Sequence, residues 1–401
     1  MDPEVSKLLA TVTSLGETVK KHAITDNDNS ASRESRRELL SATRQLTNEL
    51  QNEGQIVEGY LYGTIDPLLI KMGIDLGIFR TLVDSSSPVT LGELVAASGA
   101  DEVLLARIMR GLSSIHAVNE AGIERYEPNK VTRAFTTVKG ESGMDVFHNI
   151  NHPGWQSLPQ CLRATDYRNP TDPAQMWFGR QFNGEPYFDW LGKRPELLHS
   201  FHQFMSTQRD GHAHWLEFYP IQQQLLPGFD AGDPNAVFMV DVGGSVGHEI
   251  QEVKRRYPDI PGRMVLQDVP ATIARVIPEN GMEAMAHDFF TPNSIKGARA
   301  YYLRNVLHDW DDDRCRVILN HIRDAMTPGY SVLLINEFSI PLKGACSFAT
   351  HSDFMLMAIN AAVERTEQQW YHLMQSVGLQ IKQIWSLEPD TESLLEVTRG
   401  D

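Results

Sequence analysis

Val237-Phe-Met-Val-Asp-Val242, followed by Gly243-Gly-Ser-Val-Gly247-His248, is the stretch on which the fold turns. A near-continuous apolar run of six residues reads as a strand in a sheet covered on both faces. Glycines directly after it let the backbone approach a ligand, and the helix that follows, around Glu249–Arg256, begins with unpaired N–H groups. The same alternation continues downstream. Met264-Val-Leu-Gln267, Ala298-Arg-Ala-Tyr-Tyr-Leu303 and Ser331-Val-Leu-Leu-Ile-Asn336 read as further strands with helices between them. Leu379–Trp385 and Ser393–Thr398 add a reversed hairpin at the sheet edge. This order specifies a doubly wound α/β domain with a largely parallel sheet.

The glycines also limit the ligand. Counted from Gly243, a G-x-G-x-x-G fingerprint needs glycines where Ser245 and His248 stand. A pyrophosphate site is therefore disfavoured, and with it a nicotinamide-dependent reductase. The acid at the end of the next strand is Asp268, well placed for ribose hydroxyls. Taken alone, a Gly-Gly turn can be a tight connection and Asp268 a helix cap. Their joint placement in the first two βα units favours a nucleoside that lacks a diphosphate.

The first part of the chain has another character. A leading helix over about residues 3–22 precedes a polar linker, Thr25-Asp-Asn-Asp-Asn-Ser30. Leu39, Ala42, Leu46 and Leu50 then share one face of an otherwise polar helix, so the extension 1–54 is expected to pack against a partner. Thr90-Leu-Gly-Glu93 is a capping box opening a short helix that stops at Gly99. Asp101 can cap the next helix, whose apolar stripe is Leu104, Leu105, Ile108, Met109 and Leu112. Two short extended runs, Ala117–Glu120 and Gly122–Tyr126, close the module. Helix, turn, helix and hairpin is a winged-helix order, assigned to residues 55–145. Residues 146–401 are then a helical connector, rich in aromatics between Phe147 and Tyr219, leading into the α/β domain.

Charge weighs against DNA for that module. The chain holds 36 Lys and Arg against 52 Asp and Glu, a formal charge of −16, which repels phosphate backbones and anionic lipid. Arg107, Arg110, Arg125, Lys130 and Arg133 are read as ordinary solvated charges on a dimerisation module. Neither a nucleic-acid nor a membrane partner is expected: no spanning apolar run and no secretory leader pattern occur. The 3 cysteines have no CxxC spacing, so a reducing, cytoplasmic setting without a structural metal is expected.

Five motifs in order carry a family resemblance: Val-Asp-Val-Gly-Gly-Ser-Val-Gly-His (240–248), Leu-Gln-Asp-Val-Pro (266–270), His-Asp-Phe-Phe (287–290), Leu-Arg-Asn-Val-Leu-His-Asp-Trp (303–310) and Val-Glu-Arg-Thr (363–366). The chain resembles the S-adenosylmethionine-dependent small-molecule O-methyltransferases of plants and fungi, the caffeate-type class, over roughly residues 55–400. The resemblance implies a Rossmann-like α/β methyltransferase domain, a mainly helical winged-helix dimerisation domain, a homodimer and a small aromatic acceptor. It assigns S-adenosyl-L-methionine to Gly243, Gly244, Asp268, Asp288, Phe289 and Arg304.

Methylating a hydroxyl needs a base, and a histidine of ordinary pKa near 6.5 is largely neutral at pH 7. His308 sits after a sheet strand, where ligands of such folds bind. The resemblance implies His308 as base, flanked by Glu337 and Glu364. Asp309 is read either as near the substrate or as a cap of the following helix. Glu367 competes with Glu364 on spacing, and motif position favours Glu364. Met355, Met357 and Asn360, with Phe201 and Met205, are candidate acceptor contacts. Two departures stand out: Ser245, where the family commonly has glycine, and Asn-Ala-Ala-Val before Glu364, where relatives often have a glycine pair. Some members of the superfamily keep the cofactor and catalyse cyclisations or rearrangements without methyl transfer, and that remains the rival reading. A DNA-binding regulator is the other rival, which the charge disfavours.

Overall fold

The computed structural model describes residues 2–24, 30–185, 187–207, 210–277, 281–387 and 392–400. The expected linker at Thr25–Asn29 lies outside them. The chain forms two compact units, Met1–Ile150 with Glu196–Gln208, and Asn151–Pro195 with Arg209–Asp401. Residues 196–208 thus go with the first unit, apart from the rest of the aromatic-rich stretch.

In the first unit, helices Pro3–Ile24 and Ser30–Leu50 pack on one another. Val5 and Leu8 of one meet Leu46 of the other, with Val12 beside them. The expected stripe is shifted: Ala42 and Leu46 are buried, the face continues back through Ser32 and Ser35, and Leu50 is exposed. The polar helix therefore has a partner within its own chain, the leading helix.

The winged-helix order is present. Strand Val89–Thr90 leads into helix Leu91–Ser98, then helix Glu102–Ser114, then strands Asn119–Gly122 and Arg125–Glu127, which pair antiparallel. The capping box forms both ways: the Glu93 N–H donates to Thr90 Oγ1 at 3.3 Å, and the Thr90 N–H donates to Glu93 Oε2 at 2.7 Å. Asp101 Oδ1 accepts from the Leu104 N–H at 2.9 Å. Leu105, Ile108, Met109 and Leu112 enter the core with Ile78, Phe79, Leu82 and Leu94, whereas Leu104 points outward and is exposed. The stripe is narrower by that one residue. The first two wing residues, Ala117 and Val118, are buried ahead of the hairpin rather than paired in it.

The second unit is built on a seven-stranded sheet: Val237–Val242 (β1), Arg263–Asp268 (β2), Met282–Ala286 (β3), Ala300–Arg304 (β4), Val332–Glu337 (β5), Leu379–Trp385 (β6) and Ser393–Arg399 (β7). Its order is β3-β2-β1-β4-β5-β7-β6. Neighbours from β3 to β5 pair in parallel, and β7 inserts antiparallel between β5 and β6. β3 was not among the expected strands, because Met-Glu-Ala-Met-Ala is an edge strand with mostly exposed side chains and no apolar run to mark it. β1 and β5 are buried along their whole length, as a doubly covered sheet requires. Tyr301, Leu303, Leu333 and Ile335 face helices Asp312–Arg323 and Glu367–Ser376 through Ile318, Leu319, Trp370 and Leu373. Tyr302, Leu334, Leu266 and Phe238 face the other side, against Ile250, Val253, Trp215 and Tyr219. No helix among the described residues is long and apolar enough to cross a membrane.

Candidate active site

The doubly wound topology brings the carboxyl ends of the parallel strands to one edge, where loops can converge. After β4, Asn305 takes a positive φ of 51° and the chain folds into a single tight turn, Leu307–Asp309. His308 stands on that turn, its side chain 12% exposed. Its Nδ1 lies 3.1 Å from Glu364 Oε1, and its Nε2 is 3.8 Å from Asp309 Oδ1, too far for a hydrogen bond. A carboxylate at Nδ1 places the ring proton there and leaves the Nε2 lone pair available.

Glu364 is itself fixed. Its Oε1 also accepts from Ser352 Oγ at 2.9 Å, and its N–H donates to Asp353 Oδ1 at 2.9 Å. Ser352 and Asp353, from helix Ser347–Asn360, had no signal in the sequence: nothing in one chain marks a helix residue that reaches a loop twelve or so positions on. Glu367 is exposed at the start of the next helix, which settles the ambiguity of spacing in favour of Glu364 as the ring's partner.

Glu337 ends β5 fully buried, yet the carboxylate bonded to the ring is that of Glu364. Glu337 Oε1 instead accepts from the N–H groups of Val306 at 3.1 Å and Leu307 at 2.7 Å. Its action is on the turn that carries His308. Burial pushes its carboxyl up to about 7, against the pull of the nearby His308. Asp309 is not the helix cap, since Asp311 Oδ1 accepts from the Arg314 N–H at 2.9 Å. Burial raises the Asp309 carboxyl as well.

The imidazole departs from the ordinary value of a free histidine. Burial alone would lower its pKa, but the carboxylates of Glu364 and Asp309 outweigh that and hold it at about 10.

Directly after the neighbouring strand β1, Gly243 has a φ of 74°, and a Cβ there would come 2.9 Å from Val306 Cγ2 and 3.6 Å from the Phe289 ring. At Gly244 a Cβ would lie 2.3 Å from the Asp241 carboxylate. Only glycine fits this packing of the turn. Asp268, half-buried at the end of β2, holds it from below: Oδ2 accepts from the Ser245 N–H and Oδ1 from the Val269 N–H, both at 2.8 Å. Each carboxylate oxygen retains a lone pair for a further donor. Asp288 is exposed and caps the turn after β3 through the Phe290 N–H at 2.9 Å. Phe289 packs edge-on to Phe290 and Trp310. Arg304 is committed elsewhere: Nε and Nη2 fork onto Glu392 at 3.0 and 2.9 Å, with Glu249 3.8 Å away.

Met355, Met357 and Asn360 are half-buried on helix Ser347–Asn360. Met355 Sδ accepts from Asn151 Nδ2 at 3.1 Å, and Met357 packs with Leu158, Cys161, Trp155 and Trp177. Phe201 and Met205 lie on helix Pro195–Ser206, whose residues from 196 belong to the first unit.

Comparison with known proteins identifies the family. Residues 221–380 match the O-methyltransferase domain family, and residues 59–138 match the O-methyltransferase dimerisation domain. The methyltransferase cfoC of Aspergillus candidus is 91% identical over 401 residues, covering 100% of both chains. Demethylsterigmatocystin 6-O-methyltransferase of Aspergillus parasiticus is 35% identical over 87% of this chain and 89% of its own. Among solved structures, one described as a pericyclic reaction enzyme aligns with a TM-score of 0.87 and 27% identity, covering 98% of this chain and 100% of that one. LepI in complex with S-adenosylmethionine aligns with a TM-score of 0.86 at 27% identity, covering 98% and 99%. The chain belongs to the S-adenosylmethionine-dependent O-methyltransferase family, in a branch populated by fungal enzymes.

Proposed function

We propose that this enzyme methylates a phenolic hydroxyl of an aromatic small molecule, with His308 as the general base. The observation that carries the reading is the His308 ring at the carboxyl end of β4, held at Nδ1 by Glu364, with Asp309 3.8 Å from Nε2 and no hydrogen bond to Nε2 among the described residues. S-adenosylmethionine, when bound, supplies a methyl group on a sulfonium sulfur. The cradle at Gly243 and Gly244 would hold its methionine part, Asp268 its ribose hydroxyls, and Asp288 with Phe289 its adenine. The tight backbone approach at Gly243, where a Cβ would crowd Val306 and Phe289, supports a turn whose main chain faces the ligand. Arg304 would act at one remove, through its ion pair with Glu392.

His308 Nε2 takes the hydroxyl proton as the acceptor oxygen takes the methyl group. The imidazolium that forms would be balanced by Glu364 and Asp309. The raised basicity suits this reaction. The carboxylates that raise the ring's pKa make it a stronger proton acceptor than an ordinary histidine once its neutral form is populated, which a cationic ligand beside the ring would favour. Met355, Met357 and Asn360 are proposed to line the acceptor site, with Phe201 and Met205 as further contacts. The exposed apolar run Val57, Tyr60, Leu61, Tyr62 and Ile65 supports a homodimer through the first unit. Three free cysteines support a cytoplasmic setting.

The test is transfer of a labelled methyl group to candidate phenols, with His308→Ala beside the wild type. Turnover should fall by roughly 10²–10⁴ while cofactor affinity stays nearly intact. The likeness to a pericyclic reaction enzyme favours a second reading, in which the bound cofactor is retained without methyl transfer. An isomerised product without the added methyl mass, and full activity in His308→Ala, would move that reading ahead.

A further inference from the structure

We infer that Arg365 is a positioning residue for the base, clamping the His308 turn from its carbonyl side as Glu337 clamps it from its N–H side. The inference rests on His308 acting as the base. Arg365 is 1% exposed, a place where an arginine is costly unless every donor is used. Nη1 donates to Leu307 O at 2.8 Å and Nη2 to Trp310 O at 2.8 Å, the carbonyls that bracket His308 and Asp309. Nε and Nη2 also fork onto Asp312 Oδ1 at 3.0 and 2.9 Å, which anchors the guanidinium to the first turn of helix Asp312–Arg323. The Trp370 ring covers it, 5.3 Å from the guanidinium carbon.

Three consecutive residues therefore seize one turn by three different means. The Val363 N–H donates to His308 O at 3.2 Å, the Glu364 carboxylate meets the ring, and the Arg365 guanidinium takes the carbonyls on either side. Leu307 is gripped at both ends, its N–H by Glu337 and its C=O by Arg365. The planar fork is what allows one side chain to serve two carbonyls and a carboxylate, and a lysine ammonium cannot reproduce it. Loosening the clamp would let the turn shift and the imidazole with it, and a displacement of about 1 Å at a reacting group can cost about 10²-fold in rate.

The experiment compares Arg365→Lys, Arg365→Met and Asp312→Asn with the wild type and with His308→Ala. Four quantities are read: kcat, KM for the acceptor, cofactor affinity by calorimetry, and the His308 ring resonances by NMR in the ligand-free protein. Folded Arg365→Lys is expected to lose roughly 10-fold or more in kcat, with KM and cofactor affinity within about twofold and the His308 resonances displaced. A loss of kcat that only follows the loss of folded protein, with the His308 resonances unmoved, overturns the clamp. So does full activity. If neither Arg365 variant folds, Asp312→Asn carries the test: displaced resonances and a smaller drop in kcat support the clamp, and wild-type behaviour overturns it. The base reading fails separately, if His308→Ala keeps its turnover, and the resonance shift then still reports on the clamp.

Discussion

His308 Nδ1 and Glu364 Oε1 stand 3.1 Å apart, joining the turn after β4 to the loop after helix Ser347–Asn360. The pair sets both the tautomer and the basicity of the imidazole, because the same carboxylate accepts the ring proton and stabilises the charged ring. Glu364→Gln keeps the size and an acceptor oxygen but removes that charge. We expect kcat to fall by about 10²-fold with cofactor affinity unchanged. Glu337→Gln should be milder, since its amide oxygen can still accept from the Val306 and Leu307 N–H groups. Steady-state kinetics of the two variants side by side check the order, and a larger loss in Glu337→Gln would exchange the roles of the two carboxylates.

The raised His308 pKa has a signed consequence. Because the folded value, about 10, lies above the ordinary one near 6.5, the pair contributes stability fully below about pH 6.5 and loses it as pH rises through about 10. In the ligand-free protein the His308 resonances should titrate near pH 10. A cationic ligand beside the ring lowers that value, so S-adenosylmethionine should shift the titration downward more than its demethylated product, whose sulfur is neutral. Titration near 6.5 without ligand would remove the basis for a stronger proton acceptor than an ordinary histidine.

Much of this site was open to reading in one chain, and the limits have physical causes. β1 and β5 announce themselves because strands buried on both faces are apolar throughout, while β3 escaped because an edge strand need not be. Asp268 and Glu337 stand out in the sequence because each closes a strand at the carboxyl edge of the sheet. Their hydrogen bonds do not: that Glu337 holds backbone and Glu364 holds the ring depends on side-chain reach across loops. The pKa of His308 was beyond reach for the same reason, since it is set by burial and three carboxylates, two of them far away in sequence.

Asp268 offers a test of the cofactor cradle. Its carboxylate braces the glycine turn through Ser245 and retains lone pairs for a further donor, proposed to be the ribose hydroxyls. Asp268→Ala should weaken S-adenosylmethionine binding by about 1.5–3 kcal/mol, the scale of hydrogen bonds to a charged group. Asp268→Asn should lose less, because its side-chain oxygen can still accept. Calorimetry that finds both variants at wild-type affinity would take the ribose away from Asp268.

The two departures from the family pattern meet at one physical feature. Ser245 has a φ of 55° and Ala361 a φ of 53°, both in the left-handed region where a Cβ crowds the backbone. Glycine takes that backbone conformation without strain. The side chains carry a strain of about 1–2 kcal/mol each, offset in part because glycine gains more freedom in the unfolded chain. Ser245→Gly and Ala361→Gly should therefore each raise the stability of the folded enzyme, by about 0.5–1 kcal/mol, and not lower it as glycine does within a helix. Denaturant titration reads that directly. A destabilised Ala361→Gly would mean that the methyl group packs in the Leu158 and Cys161 cluster strongly enough to outweigh the strain. For Ser245 the outcome also reports on function: a more stable Ser245→Gly with unchanged cofactor affinity would show that the hydroxyl is dispensable, and weaker binding would show that the serine offsets its strained backbone through a contact with the cofactor.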